Sequence, residues 1–126
     1  MNTNEELEEI FMNQMHDFIQ ELNVVFYDMT FINDGKKYIN AMNESYLMRN
    51  WKKYINDQYS KEIYEMNATQ LIYKVETVGN IYKDAQSRMF GHIITHMKEL
   101  SPTSKQNIMM YISNITKIVN MYFIHI

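Results

Sequence analysis

The sequence predicts an all-α fold, a compact bundle of five to six amphipathic helices forming one domain over residues 1–126. Three observations point there. Apolar residues recur at spacings of three and four along most of the chain. With three glycines and one proline in 126 residues, there is little material for the many tight turns of a β-sandwich. The third is length: 126 residues and 46% hydrophobic content suffice for a core without disulfides or metal.

The first helix is expected over residues 4–27. Leu7, Phe11, Met15, Phe18, Leu22 and Val25 form its stripe, and Ile10, Ile19 and Phe26 widen it. Thr3 or Asn4 caps it, with Glu6 as the capping-box partner of Thr3. Residues 28–35 read either as a connector turning at Asp34-Gly35 or as the start of a helix near Thr30 that tolerates Gly35. In that second reading Phe31, Ile32, Tyr38, Ile39 and Met42 are apolar positions. Asn43 or Ser45 caps the next element, in which Leu47, Trp51, Tyr54, Ile55 and Tyr59 share one side. Ser60 is expected to cap a short helix carrying Ile63, Tyr64 and Met66.

Residues 68–78 are ambiguous. Leu71, Tyr73, Val75 and Thr77 alternate as in a strand. Leu71, Val75, Val78, Tyr82, Ala85, Met89 and Ile93 keep helical spacing, favouring a helix over 69–99 bent near Gly79-Asn80. The rival is an extended piece followed by a helix over 80–99. Ser101-Pro102 is the clearest boundary, because proline suits the first helical position. A last helix is expected over 102–124, with Ile108, Ile112, Ile115, Val119 and Tyr122 on its core face. The final six residues carry no Asp, Glu, Lys or Arg, so this tail requires burial in the domain or in a partner. No repeat or linker divides the chain.

Cysteine is absent, which removes thiol nucleophiles and cysteine-based metal sites. No phosphate loop, nucleophile elbow or dinucleotide fingerprint occurs. Carboxylate pairs such as Glu5/Glu9 and Glu62/Glu65 lack the desolvating surroundings of an acid–base pair. His92 and His96 have metal-ligand spacing, but Ile93, Ile94 and Thr95 lie between them, without the glutamate of a zinc-protease helix. The expectation is therefore a non-enzyme with no metal and no cofactor. No stretch is long and apolar enough for a membrane span, and the first residues lack a signal-peptide pattern. A cytosolic, reducing site of synthesis is expected.

Net charge is −3, unevenly distributed. Residues 1–35 hold eight acids and no lysine or arginine. The remainder holds seven acids and twelve bases. The acidic start complements a helix dipole, and it also fits docking on a basic neighbour, including a second copy. Arg49, Lys52 and Lys53 beside Trp51 and Tyr54 are the candidate nucleic-acid contacts, although their helical spacing sends Trp51 inward and the negative net charge disfavours such a role. Twelve methionines and ten tyrosines suggest protein–protein contact area, with Tyr27, Tyr46, Tyr59, Tyr64, Tyr73 and Tyr111 expected to contribute. The candidate partner-binding residues are Glu5, Glu9, Tyr122, Phe123, Ile124 and Ile126.

Asn, Ile, Lys and Tyr make up 50 of 126 residues, whereas Gly, Ala, Arg and Pro make up nine. The first group uses AT-rich codons, which points to an AT-rich genome. Phe18-Ile19-Gln20-Glu21-Leu22-Asn23-Val24-Val25-Phe26, then Trp51-Lys52-Lys53-Tyr54-Ile55, then Tyr59-Ser60-Lys61-Glu62-Ile63 follow a pattern: a helix ending Phe-x-x-Leu-x-x-x-Phe-Pro, then a Trp-led helix and a tyrosine. Tyr27 stands at the proline position. Through these residues the stretch 11–66 resembles short helical proteins of nucleocytoplasmic large DNA viruses, the algal and giant viruses. The resemblance implies a viral protein located in the virion, and in the host cytoplasm during assembly. The expected role is a minor capsid or internal virion protein contacting other viral structural proteins. The alternatives are an adaptor or accessory subunit in viral transcription or host interaction, and a weak single-stranded nucleic-acid binder.

Overall fold

The computed structural model describes residues 3–27, 29–78 and 84–124. Its elements are α1 (Asn4–Val25), α2 (Thr30–Ala41), α3 (Glu44–Trp51), a π-helical segment (Lys52–Asn56), α4 (Asp57–Tyr64), α5 (Ala68–Val78), α6 (Ala85–Met97) and α7 (Pro102–Ile124). Because α3, the π segment and α4 are continuous, the described residues form six helical rods. The all-α bundle follows the sequence expectation.

Side-chain caps set most of the starts. Thr3 Oγ1 accepts the Glu6 N–H at 3.2 Å, and Asn43 Oδ1 accepts the Tyr46 N–H at 2.8 Å. Asn67 Oδ1 accepts from Gln70, Asp84 Oδ1 from Ser87, and Ser101 Oγ from Ser104. Each such cap is worth about 1 kcal/mol. The α4 C-terminus closes as a Schellman motif: the Asn67 N–H reaches the Glu62 carbonyl and the Met66 N–H that of Ile63. Met66 takes the left-handed position usually given to glycine, at φ 55°.

Two open alternatives are resolved as helix, at Asp34-Gly35 and over 68–78, and two expectations are corrected. Asp34-Gly35 is not a turn, because α2 runs straight through it. Ser60 lies inside α4, directly after the kink at Tyr59 where two helical stretches meet, and α4 itself ends at Tyr64, before Met66 and Asn67. Residues 68–78 are helical rather than extended. A single helix over 69–99 does not form either, since Asp84 is extended (φ −137°, ψ 172°) and caps a new helix. The bend expected at Gly79-Asn80 lies outside the described residues.

α1 packs chiefly on α7, and α2 on α6. α1 and α7 are antiparallel, since Phe18 stacks on Tyr111 with centroids 5.3 Å apart while the start of α1 faces the end of α7. The α1 stripe Leu7, Phe11, Met15, Phe18, Ile19 and Leu22 is buried, as are Ile108, Met109, Ile112, Ile115 and Val119 of α7. Burying each such side chain contributes about 1.5–3 kcal/mol. The rod of α3, π segment and α4 threads between them and buries Leu47, Trp51, Ile55, Tyr59 and Ile63. Tyr59 is fully buried, so it supplies none of the surface expected of it. Its non-helical backbone (φ −131°, ψ 20°) kinks the rod.

A buried polar layer joins α2, α3 and α6. Asn50 Nδ2 donates to Asp84 Oδ2 at 2.6 Å, and Gln86 Nε2 donates to the Leu47 carbonyl at 3.1 Å. The Tyr38 hydroxyl belongs to this layer. Burial first, then its hydrogen bond with Tyr46 and the Asp84 charge, push its pKa well above the ordinary 10.0. Above pH 10 the unfolded chain therefore loses this proton while the folded chain keeps it. Unfolding free energy falls as pH rises wherever the folded state binds more protons. Urea midpoints are expected to drop between pH 10 and 11, with a shallower drop in Tyr38→Phe; equal slopes in the two proteins would contradict this role for Tyr38. Tyr122, also raised mainly by burial, leaves a residual slope in the variant.

Candidate contact surface

α7 is 23 residues long and contains two charged residues, Lys105 and Lys117. Its other polar residues are uncharged Ser, Thr, Asn and Gln. Here the bundle covers one side. On the opposite side Met110, Asn114, Lys117, Met121 and Ile124 repeat at steps of four and three, the spacing of a helix-packing seam. Met110 is 48%, Met121 41% and Ile124 77% exposed.

α1 borders this face. Ile10, 37% exposed, lies with Gln14, Asn114, Lys117 and Ile118 around one depression. A second holds Gln14, Asp17, Glu21, Asn107, Met110 and Tyr111 and shares Asn114 with the first. The two run together as one groove along α1 and α7. Ile10, Gln14, Asp17 and Glu21 fall on one side of α1 at steps of four, three and four. The sequence reading missed the groove. Its signals were the scarcity of charge in α7 and the second apolar stripe behind the core stripe.

The expected partner residues are dispersed. Glu5 and Glu9 are exposed and ring a separate depression with Glu8, Met12, Asn13 and Glu44. Tyr122 is buried in the domain rather than offered to a partner. Its hydroxyl pKa is raised by burial and then by the Glu8 charge, with Arg49 opposing. Phe123 is half-buried against it, edge to face at 5.2 Å. Ile124 is exposed, and Ile126 lies outside the described residues. The described part of the apolar tail thus divides between core and exposed surface.

The basic trio is also divided. Lys52 is paired with Asp57. Lys53 lies over the Tyr54 ring, 5.2 Å from its centroid. Arg49 is exposed on the side of Tyr122. Trp51, the best stacking residue for a base, is 1% exposed and spent in the core. Glu62 pairs with Lys74 at 3.3 Å. The His96 Nδ1 lies 2.8 Å from the His92 carbonyl, and Phe31 packs on both rings at 5.1 and 5.2 Å. His16 instead faces Asn40 at 3.2 Å. Among the described residues no three His, Asp or Glu side chains are grouped to hold a metal, and no helix is long and apolar enough to cross a membrane.

Comparison with protein-family models, curated proteins and solved structures yields no match.

Proposed function

We propose that the chain is a non-enzymatic structural component of a large DNA virus particle, a minor capsid or internal virion protein that works by protein–protein contact. The observation that carries the contact role is the outward face of α7. Met110, Met121 and Ile124 are exposed on a helix with two charges, and such a face gains free energy when covered, at about 25 cal/mol per Å² of apolar area. Exposed Val24 and Tyr27 at the end of α1, and Tyr64 and Tyr73, add adaptable contact area elsewhere. The particle is inferred from the sequence resemblance and the AT-rich residue usage.

The test is quantitative proteomics of purified particles. Recovery at a fixed stoichiometry to the major shell protein is the expected result. Absence from particles, with recovery alongside soluble transcription enzymes or host proteins, overturns the structural role.

A further inference from the structure

We infer that the α1–α7 groove receives one amphipathic helix of a partner protein, seated parallel to α7 with its N-terminus at the Asp17–Glu21 end. This rests on the contact role proposed above. The groove spans Ile10 to Glu21 on α1, about 16 Å at 1.5 Å per residue, or three helical turns. Its floor offers apolar side chains at both ends, Met110 and Tyr111 at one and Ile10 and Ile118 at the other. A helix laid between two helices buries residues at i, i+3/4 and i+7.

Charge fixes the direction. One end of the groove carries Asp17 and Glu21 with no lysine or arginine in its lining. The other carries Lys117 with no acid. The N-terminus of a helix bears partial positive charge and the C-terminus partial negative charge. Both ends are therefore matched by an incoming helix that starts beside Asp17 and Glu21 and finishes beside Lys117. Charged side chains of the partner follow the same order, basic in its first turn and acidic in its last. A second copy using its own α7 fits less well. Antiparallel pairing of two α7 seams about their midpoint sets Lys117 against Lys117, which repels.

A displayed library of 16-residue helices tests this. Each peptide carries a Leu/Ile/Met seam, alanine elsewhere, and Lys or Glu allowed in the first and last turns. Lys-first, Glu-last peptides are expected to be enriched at least tenfold over the reverse order. That order is disfavoured within an isolated helix, so its enrichment reports the groove. The variant Asp17→Lys/Glu21→Lys/Lys117→Glu is expected to invert the preference, and Met110→Glu/Met121→Glu to abolish recovery. Circular dichroism confirms that each variant is folded; if the triple variant is not, Lys117→Glu alone is expected to remove the enrichment of Glu in the last turn while leaving Lys favoured in the first. Absence of enrichment, an order unchanged by the charge swap, or recovery insensitive to Met110→Glu/Met121→Glu overturns the proposal. So does a concentration-dependent dimer in sedimentation that Met121→Glu dissociates, because the occupant is then a second copy. The particle result and the library result fail separately, since the library does not depend on where the protein resides.

Discussion

Trp51→Ala is expected to cost about 3–5 kcal/mol, the range for truncating a large buried aromatic. The indole is 1% exposed and joins three elements. Its edge meets the Phe90 ring of α6 at 6.0 Å, and Phe90 in turn stacks on Tyr59 of α4 at 5.8 Å. Its Nε1 donates to Thr116 Oγ1 of α7 at 3.1 Å. Truncation leaves a cavity between helices that cannot all collapse inward, and it strands a fully buried threonine hydroxyl. Small domains have total stabilities of about 5–15 kcal/mol, so urea unfolding is expected to show a large fall in midpoint or a chain already unfolded in buffer. Trp51→Phe separates the two contributions. It keeps much of the volume but loses the donor, and is expected to cost about 1–3 kcal/mol. Adding Thr116→Val to Trp51→Phe removes the stranded acceptor and is expected to recover part of that loss. Strict additivity of Trp51→Phe and Thr116→Val in urea would refute the coupling.

This cluster was half legible in the sequence. Trp51 falls at helical spacing with Leu47 and Ile55, which sends it inward whatever the details of the fold. The alternation that made 68–78 resemble a strand failed for a related reason. Leu71 and Val75, four apart, are the buried residues, while Tyr73 and Thr77 face outward, so tertiary packing selected the helical period where both were present. Boundaries were legible where a cap side chain precedes a helix, as at Thr3, Asn43 and Ser101. At the α4–α5 break the cap side chain of Asn67 was available to be read, whereas the left-handed conformation of Met66 is not announced by its residue type.

The groove was hidden for a different reason. Periodicity marks one buried face on α7, and its second stripe acquires a meaning only beside α1. The terminal residues are neighbours in sequence alone. Helical geometry instead separates Tyr122, which turns inward, from Ile124, which turns outward, since two residues along a helix amount to about 200° of rotation.

Gly35 fits either a turn or a helix interior in the sequence, and neither reading supplies the reason for glycine there. Beside Asp34 it resembles a turn glycine, yet it lies inside α2 and is buried. The requirement is proximity: a Cβ at this position would lie 2.2 Å from Met89 Sδ and 3.0 Å from Met89 Cβ and Cγ. The sulfur can swing aside, but Met89 Cβ is fixed by the α6 backbone, so α2 and α6 must separate. Gly35→Leu is therefore expected to cost more than the usual overpacking range of about 1–3 kcal/mol, because it also lifts the buried Ile32 and Ile39 of α2 from their contacts. Gly35→Ala tests the mechanism by a change of sign. In a helix alanine is intrinsically better than glycine by about 1 kcal/mol. In the native background the clash is expected to outweigh that gain, lowering the urea midpoint. In a Met89→Gly background the whole obstructing side chain, Cβ included, is gone, and Gly35→Ala is expected to raise the midpoint. If Gly35→Ala stabilises the native protein, the close approach of α2 and α6 is not what demands glycine there. If it destabilises both backgrounds equally, the obstruction is not Met89.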